Sequence, residues 1–167
     1  MTTTTRRRAT STAEAWEALF RAQVAVVRRL EADDVWDEVS MKEYDVLFTL
    51  SRCSADGLRL KELNREVLLS QPSLSRLVDR LVARGLVERH AVIDDLRGTR
   101  VVLTEEGRAT QKRVGRRHVA SIDRAITGSL DTSELAELER LCGVLRAHVD
   151  PAPASTPATS TSQEDLS

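Results

Sequence analysis

Guanidinium and amide side chains recur at helical spacing between residues 70 and 84, and they are suited to hydrogen bonding rather than to covalent catalysis. Arg76 and Arg80 lie one helical turn apart, and each carries a planar fork of donors that fits a phosphate or the edge of a guanine base. Gln71 adds an amide suited to adenine. The residues of this segment that we predict to contact DNA are Ser70, Gln71, Pro72, Ser73, Ser75, Arg76 and Arg80.

A single helix must carry these donors. Leu74, Leu77, Val78 and Leu81 repeat at i, i+3, i+4 and i+7, which predicts an amphipathic helix of about 14 residues with an apolar face opposite the arginines. The helix is expected to start at Ser70, with Pro72 in its first turn, and to stop at Gly85.

The flanking segments complete a recognisable motif. A short helix is predicted around residues 61–67, and the strand-like runs 86–89 and 100–103 enclose a polar segment that reads as a hairpin with a loose tip. A short helix, a turn, an amphipathic helix and a hairpin together make a winged helix-turn-helix, in which the second helix enters the DNA major groove.

The remaining elements are predicted to be helices. Capping boxes start helices at Ser11, Ser40 and Asp131. We expect helices at about 12–39, 41–53, 105–127 and 133–148, the last with an apolar seam from Leu135 to Val149. The fold class is therefore mainly α with a small β-hairpin wing.

Composition supports a helix-rich protein and limits its functions. The 167 residues carry a formal net charge of -1, with 41% hydrophobic and only 3% aromatic residues, which excludes a strongly basic nucleic-acid tail protein. Charge is nevertheless uneven: residues 58–104 hold nine basic and six acidic side chains, whereas residues 31–45 hold one Lys and seven acids. A basic segment at residues 58–104 in an otherwise acidic chain suits phosphate binding with little non-specific attraction to DNA.

No apolar run of membrane-spanning length and no secretory leader are present, so we expect a cytoplasmic protein.

Catalytic and metal signatures are missing from the sequence. The two cysteines, Cys53 and Cys142, form no Cys-x-x-Cys pair, and neither a Gly-rich phosphate loop nor a His-Glu-x-x-His motif occurs. We expect no enzyme, no cofactor and no metal, and we expect both thiols to be buried packing groups.

At this point the sequence resembles the MarR family of bacterial transcription regulators over about residues 16–145. The resemblance is carried by Leu77-Val78-Asp79-Arg80-Leu81, Arg84-Gly85-Leu86-Val87-Glu88-Arg89, Asp95-x-Arg97-Gly98 and Leu103-Thr104-Glu105-Glu106-Gly107, in that order and spacing. It implies an obligate homodimer whose first, fifth and sixth helices intertwine. Each subunit would read half of a pseudo-palindromic operator, with the two heads about 34 Å apart.

The resemblance also assigns roles in the hairpin. Arg97 at its tip would enter the minor groove, Asp95 would support the wing, and Arg100 joins the predicted DNA contacts. Two positions depart from the family pattern: Leu96 replaces a usual Arg or Lys, which implies weaker wing affinity, and Asn64 replaces a usual Ala.

Many members of the family respond to small aromatic or phenolic ligands that bind between the dimer helices and the DNA-binding head. The resemblance makes candidate ligand contacts of Trp16, Trp36, Tyr44, Asp45, Phe48 and His118. Ordinary core packing is the alternative for the apolar members, and a surface charge near a helix start is the alternative for Asp45.

The predicted organisation has five parts. They are an N-terminal arm (1–10), a dimerisation helix with a core helix (11–57), the winged helix-turn-helix (58–104), C-terminal dimerisation helices (105–149) and a Pro/Ser/Thr-rich tail (150–167), both ends being predicted disordered. The predicted function is a ligand-responsive, sequence-specific DNA-binding regulator, most simply a repressor. The alternative is a winged-helix module that binds a protein partner.

Overall fold

The computed structural model describes residues 10–67, 69–92 and 95–150, with the side chains of 92 and 95–98 outside that description. Most of the predicted N-terminal arm and C-terminal tail therefore lies outside it. The elements are α1 (Thr12–Glu31), α2 (Met41–Ser51), β1 (Leu58–Arg59), α3 (Leu60–Glu66), α4 (Gln71–Ala83), β2 (Val87–Val92), β3 (Asp95–Leu103), α5 (Glu105–Ile126) and α6 (Thr132–Val149). The described part of the chain falls into two units, which divide between residues 125 and 126.

The three predicted capping boxes are present. Ser11, Ser40 and Asp131 each accept a hydrogen bond from the backbone N–H three residues on, and the Glu at that position accepts one from the cap residue's own N–H. These reciprocal bonds satisfy donors that a helix start would otherwise leave unpaired. The starts of α1, α2 and α6 are thus confirmed.

The prediction that the first helix reaches Val39 is wrong, because α1 ends at Glu31. The indole Nε1 of Trp36 donates to the backbone oxygen of Leu30 at 2.7 Å, and the backbone N–H of Asp33 donates to the same oxygen at 3.2 Å. Both bonds are accepted by the carbonyl oxygen of Leu30, in the last turn of α1, where the chain leaves the helix. Residues 32–39, here called the acidic loop, then lead to the cap at Ser40.

One hydrophobic core joins α2, α3, α4 and the sheet. Its fully buried members include Leu47 of α2, Leu63 of α3, Leu74 and Leu81 of α4, and Val101 of β3. Val114 of α5 is also buried in this core. The predicted apolar face of α4 therefore packs as expected, and it fixes which side of that helix remains outside.

The sheet has three antiparallel strands in the order β1-β3-β2, so the predicted hairpin is extended by one strand. Leu58 of β1 pairs with Val101, and Val87 of β2 pairs with Leu103. The pairing of β2 with β3 continues to Val92 and Asp95, with a register shift after Ala91, so the hairpin is longer than the predicted runs.

Two glycines permit close packing around the sheet. Gly57 has φ of +70°, and a Cβ there would overlap the carbonyl oxygen of Val101. A Cβ on Gly107, in the first turn of α5, would overlap the carbonyl oxygen of Leu86. Only glycine allows both approaches.

Large apolar side chains remain exposed on α1 and α6. Trp16 and Phe20 of α1 stack on each other with ring centroids 6.2 Å apart, and both are more than half exposed. Every residue of α6 is exposed in the single chain. Its apolar members are Leu135, Leu138, Leu141, Cys142, Val144, Leu145 and Val149.

Candidate nucleic-acid interface

The exposed face of α4 carries the polar residues that the sequence predicts to contact DNA. Gln71, Pro72, Ser73, Arg76 and Arg80 are exposed, and Ser70 is exposed at the N-cap. Ser75 is half-buried. The hydroxyl of Ser70 donates to that of Ser73 at 2.9 Å, and Nε of Arg76 donates to the carbonyl of Pro72 at 3.3 Å. The N-terminal end of α4 therefore presents small polar side chains to solvent, while the opposite face of the helix packs in the hydrophobic core.

An ion pair ties α4 to β2. Nη2 of Arg89 lies 2.7 Å from Oδ1 of Asp79, which joins the middle of α4 to the second strand. Sequence reasoning missed this pair, although both residues stand in the segments that carry the family resemblance. The pair adds a polar contact between α4 and the hairpin outside the buried core.

The C-terminal end of α4 meets a carboxylate from α2. Oε1 of Glu43 lies 3.7 Å from Nε of Arg80, and its Oε2 lies 3.5 Å from Nη1 of Arg84. Glu43 is only 8% exposed, whereas both arginine side chains remain partly in solvent. Sequence reasoning assigned Glu43 to the capping box alone, and it missed this second contact.

The acidic loop forms a row of ion pairs with α5. Arg113 binds Glu38 at 2.8 Å, and Arg117 binds Asp37 at 2.6 Å. Nη2 of Arg84 also donates to the backbone oxygen of Glu38 at 2.5 Å. Through Glu38, the end of α4 is linked to the middle of α5.

The same row continues toward the end of α5. Asp33 accepts hydrogen bonds from the hydroxyl of Ser121 and from Arg124, and the bond from Ser121 contributes most to lowering the pKa of its carboxyl group. The hydrogen bond from Arg117 likewise lowers the pKa of Asp37. Acidic residues that the sequence marked only as a local charge excess thus hold the loop against α5.

The predicted wing residues are placed only in part. The backbones of Asp95 and Arg97 belong to β3, but their side chains lie outside the described residues. Arg100 is described and half-buried, and its Nε donates to the backbone oxygen of Asp56 at 3.0 Å. This bond fastens β3 to the turn before β1, so Arg100 has a structural contact beside its predicted one.

Four of the six candidate ligand residues form one aromatic cluster. The His118 ring of α5 lies 4.9 Å from the Trp36 ring and 5.3 Å from the Tyr44 ring, centroid to centroid. Phe48 stacks on Tyr44 at 6.0 Å, and it is 40% exposed. The ring contact found for Trp16 is with Phe20 on α1, so the structure does not bring Trp16 into the cluster.

Burial controls ionisation in and beside this cluster. Burial lowers the pKa of His118, whose Nδ1 is enclosed without a hydrogen-bond partner, so the ring is neutral at neutral pH. Burial raises the pKa of the Tyr44 hydroxyl. Partial desolvation raises the pKa of the Asp45 carboxyl group too.

Beside the cluster, Trp36 contributes to an open cleft of about 370 Å³. The other residues that line it are Glu31, Ser40, Met41 and Lys42. An indole ring and a Lys side chain thus lie at one surface depression.

The two cysteines differ in surroundings. Cys53 is half-buried, its Sγ donates to the carbonyl of Leu50 at 3.0 Å, and burial raises its pKa, which agrees with the expected packing role. Cys142 is exposed on α6 in the single chain, so the expectation that it is buried is wrong for one protomer. The reason is that α6 as a whole is exposed there.

The described residues hold neither a candidate metal site nor a membrane-spanning helix. Across residues 10–67, 69–92 and 95–150, no group of three or more His, Cys, Asp or Glu side chains could hold a metal ion. Within those same ranges, no helix is both long and apolar enough to span a membrane.

Comparison with known proteins places the chain in a family. The sequence model of the MarR family matches residues 38–98. The multiple antibiotic resistance protein MarR of Salmonella typhimurium is 30% identical over 104 residues, which cover 62% of this chain and 71% of that protein.

Solved structures agree in fold. AbsC, a MarR family transcriptional regulator from Streptomyces coelicolor, superposes with a TM-score of 0.70 at 29% identity, over 86% of this chain and 98% of AbsC. Sco3205, a MarR family regulator from the same organism solved in complex with DNA, gives 0.69 at 23% identity, over 89% and 94%. With the winged helix-turn-helix in place and these relatives matched over most of their length, the chain belongs to the MarR family of transcriptional regulators.

Proposed function

We propose that this regulator binds a pseudo-palindromic DNA operator as a homodimer, with α4 in the major groove and the β2–β3 hairpin as the wing. The observation that carries the proposal is the division of α4 into two faces. Leu74, Leu77, Val78 and Leu81 are buried, while Gln71 and the arginines point outward beside the hairpin. When such a helix lies in the major groove, its exposed arginine and glutamine side chains can reach the base edges.

The proposed contacts divide by chemistry. Gln71 and Arg76, on the exposed leading half of α4, are assigned to base edges, and Ser70, Pro72, Ser73 and Ser75 let that end approach closely. Arg80 and Arg100 are assigned to phosphates, and Arg97 to the minor groove, with Asp95 as its support.

A second copy of the chain is the proposed partner of α1 and α6. In α6, residues 135, 138, 142, 145 and 149 repeat at alternating intervals of three and four, which is the spacing of a helix that packs against other helices along one seam. All five are exposed in the single chain. Residues 11–57 and 105–149 are therefore proposed to supply dimerisation helices around a head formed by residues 58–104.

The proposed effector is a small aromatic or phenolic molecule that carries an acidic group. Its support is the cleft that contains Trp36 and Lys42, next to Tyr44, Phe48 and His118. Quenching of Trp36 fluorescence by a phenolic acid, in a Trp16→Phe background, tests this. Quenching that is unchanged in Lys42→Gln would exclude the cleft.

In vitro selection tests DNA binding directly. Purified protein is mixed with genomic fragments at about 150 mM salt, and the retained fragments are sequenced against the input. The proposal predicts enrichment of a pseudo-palindrome. A folded dimer that enriches no sequence would favour the second candidate, a winged-helix module that uses residues 58–104 on a protein partner.

The relatives are named as regulators, which supports a non-enzymatic role and a DNA partner.

A further inference from the structure

Glu43 is buried where two exposed arginines converge, Arg80 of α4 and Arg84 at the C-cap of the same helix. It is 8% exposed, and its two carboxylate oxygens lie 3.7 Å from Nε of Arg80 and 3.5 Å from Nη1 of Arg84. The side chains of Arg80 and Arg84 are 61% and 42% exposed. One negative charge from α2 is thus shared by two cations on the helix proposed to enter DNA.

The charge of Glu43 is not needed for its other task. In the capping box of α2, Oε2 accepts from the backbone N–H of Ser40 at 2.9 Å. A glutamine at this position makes the same bond, because capping boxes use Glu or Gln. A buried charge is unfavourable unless it is paired. The two arginines, and not the cap, therefore compensate the negative charge of the Glu43 carboxylate.

A second contact holds Arg84 in the same place. Its Nη2 donates to the backbone oxygen of Glu38 at 2.5 Å, and the carboxylate of Glu38 is bound by Arg113 of α5. The C-terminal end of α4 is therefore restrained from two directions, by α2 and by the acidic loop.

We infer that Glu43 is a positioning residue that restrains Arg80 and Arg84 and so suppresses binding to DNA of the wrong sequence. The inference rests on the proposed function. A free arginine attracts any phosphate, and each phosphate contact releases counterions whatever the sequence. Arginines held by Glu43 reach phosphate only when the rest of α4 is seated on its operator, so the carboxylate lowers non-specific affinity more than specific affinity.

Glu43→Gln separates the charge from the cap. We expect the affinity for a mixed-sequence duplex to rise about tenfold, and the slope of log affinity against log salt to steepen by at least about 0.9, which corresponds to one added phosphate contact from Arg80, because Arg84 keeps its bond to the backbone oxygen of Glu38. Operator affinity is expected to change less than threefold, so the ratio of specific to non-specific affinity falls.

The experiment measures fluorescence anisotropy with the selected operator and with a scrambled duplex of equal length, at several salt concentrations. Glu88→Gln, which removes an exposed acidic charge from the same head, controls for a general loss of negative charge. In an Arg80→Gln/Arg84→Gln background, Glu43→Gln should not change the affinity for the scrambled duplex, because the two guanidinium groups that Glu43 restrains are absent.

A further variant leaves Glu43 and its cap intact. Arg80→Gln/Arg84→Gln alone should lose at least tenfold in operator affinity but less than threefold in affinity for the scrambled duplex. The second loss is small because, in the wild type, Glu43 already keeps these two arginines away from the phosphates of random DNA. Equal losses on both duplexes would overturn the inference even if Glu43→Gln failed to fold.

The outcomes separate the inference from the proposed function. Specific binding by the wild type, with Glu43→Gln indistinguishable from Glu88→Gln, overturns the inference alone. Wild-type protein that binds neither duplex, or both equally, overturns the proposed function and the inference together. A raised scrambled-duplex affinity that persists without Arg80 and Arg84 would assign the effect of Glu43 to some other contact, and would also overturn the inference.

Discussion

The arginines of the DNA-binding head differ in the partners they have before DNA arrives. Within the described residues, Arg76 has no acidic partner, whereas Arg80 and Arg84 share Glu43, and Arg89 is paired with Asp79. The proposed contact of Arg76 with a base edge would therefore break no ion pair among the described residues. The paired arginines have to exchange a protein carboxylate for DNA or remain structural.

Arg97 is the residue that tests the wing. Arg97→Ala is expected to weaken binding by about 1 kcal/mol or more, to an equal extent for every half-site sequence, and to lower the salt slope by about 0.9, since it removes one cation that the negative potential of the minor groove attracts. Anisotropy titrations on several half-site variants measure this. Arg21→Ala, on exposed α1, is the matched control; an affinity of Arg97→Ala equal to that control would remove the wing from the account.

His118 is expected to make stability depend on pH. Its pKa is lowered by burial in the folded protein, so below the ordinary value of 6.5 the unfolded chain binds more protons than the folded one. Stability attributable to His118 is therefore complete above about pH 6.5 and declines as the pH falls below it. Urea unfolding at pH 7.5 and pH 5.5 should show a smaller loss for His118→Phe than for the wild type. Equal losses would show that this ring does not contribute.

For single residues, the sequence was a better guide to which side chains are exposed to solvent than to which side chains contact each other. The exposed positions of Gln71 and Arg76 follow from the helical period. The pairing of Arg84 with Glu43 joins residues 41 positions apart, and no local pattern indicates such a contact. Glu43 also has a complete local explanation as a capping residue, which hid its second contact.

Among the elements, the junction between the sheet and α5 depends on a glycine. In Gly107→Ala the new methyl group would overlap the carbonyl oxygen of Leu86, so α5 must move or the hairpin must shift. We expect a loss of about 2 to 4 kcal/mol in the free energy of unfolding, as for other overpacked sites.

Gly143→Ala is the matched control for that substitution. Gly143 is also a helical glycine, but no atom lies within 4 Å of its added Cβ, so alanine should be neutral or stabilise α6 by up to about 1 kcal/mol. Chemical denaturation of both variants gives the comparison. Similar stabilities for the two would contradict the packing proposed at Leu86.

The elements themselves were predicted with one substantial error. Caps and apolar periodicity located five helices closely, because their signals are local. The first helix was predicted eight residues too long, up to Val39, because its stop at Glu31 depends on the Trp36 indole and on the arginines of α5. Strand β1 was missed because two residues, Leu58 and Arg59, are too few for an alternation to be visible.

On the scale of the whole molecule, the apolar side chains exposed on α1 and α6 are the surface on which a second copy is proposed to pack. Leu138→Glu places a charge in the exposed seam of α6, where a second protomer is proposed to pack. We expect sedimentation to shift from dimer to monomer, and operator affinity to fall at least tenfold because a single head binds only one half-site.

Glu139→Gln, at the adjacent exposed position of α6, should leave both properties unchanged. If Leu138→Glu remains a dimer with full affinity, the seam is not the interface.

Hydroxyl-radical footprinting on the selected operator tests the central claim most directly, namely that two copies of α4 each read one half-site. We expect two symmetric protected segments about one helical turn apart, centred on the pseudo-dyad, with flanking protection that disappears in Arg97→Ala. A single asymmetric footprint, or protection that does not follow the two half-sites, would contradict it.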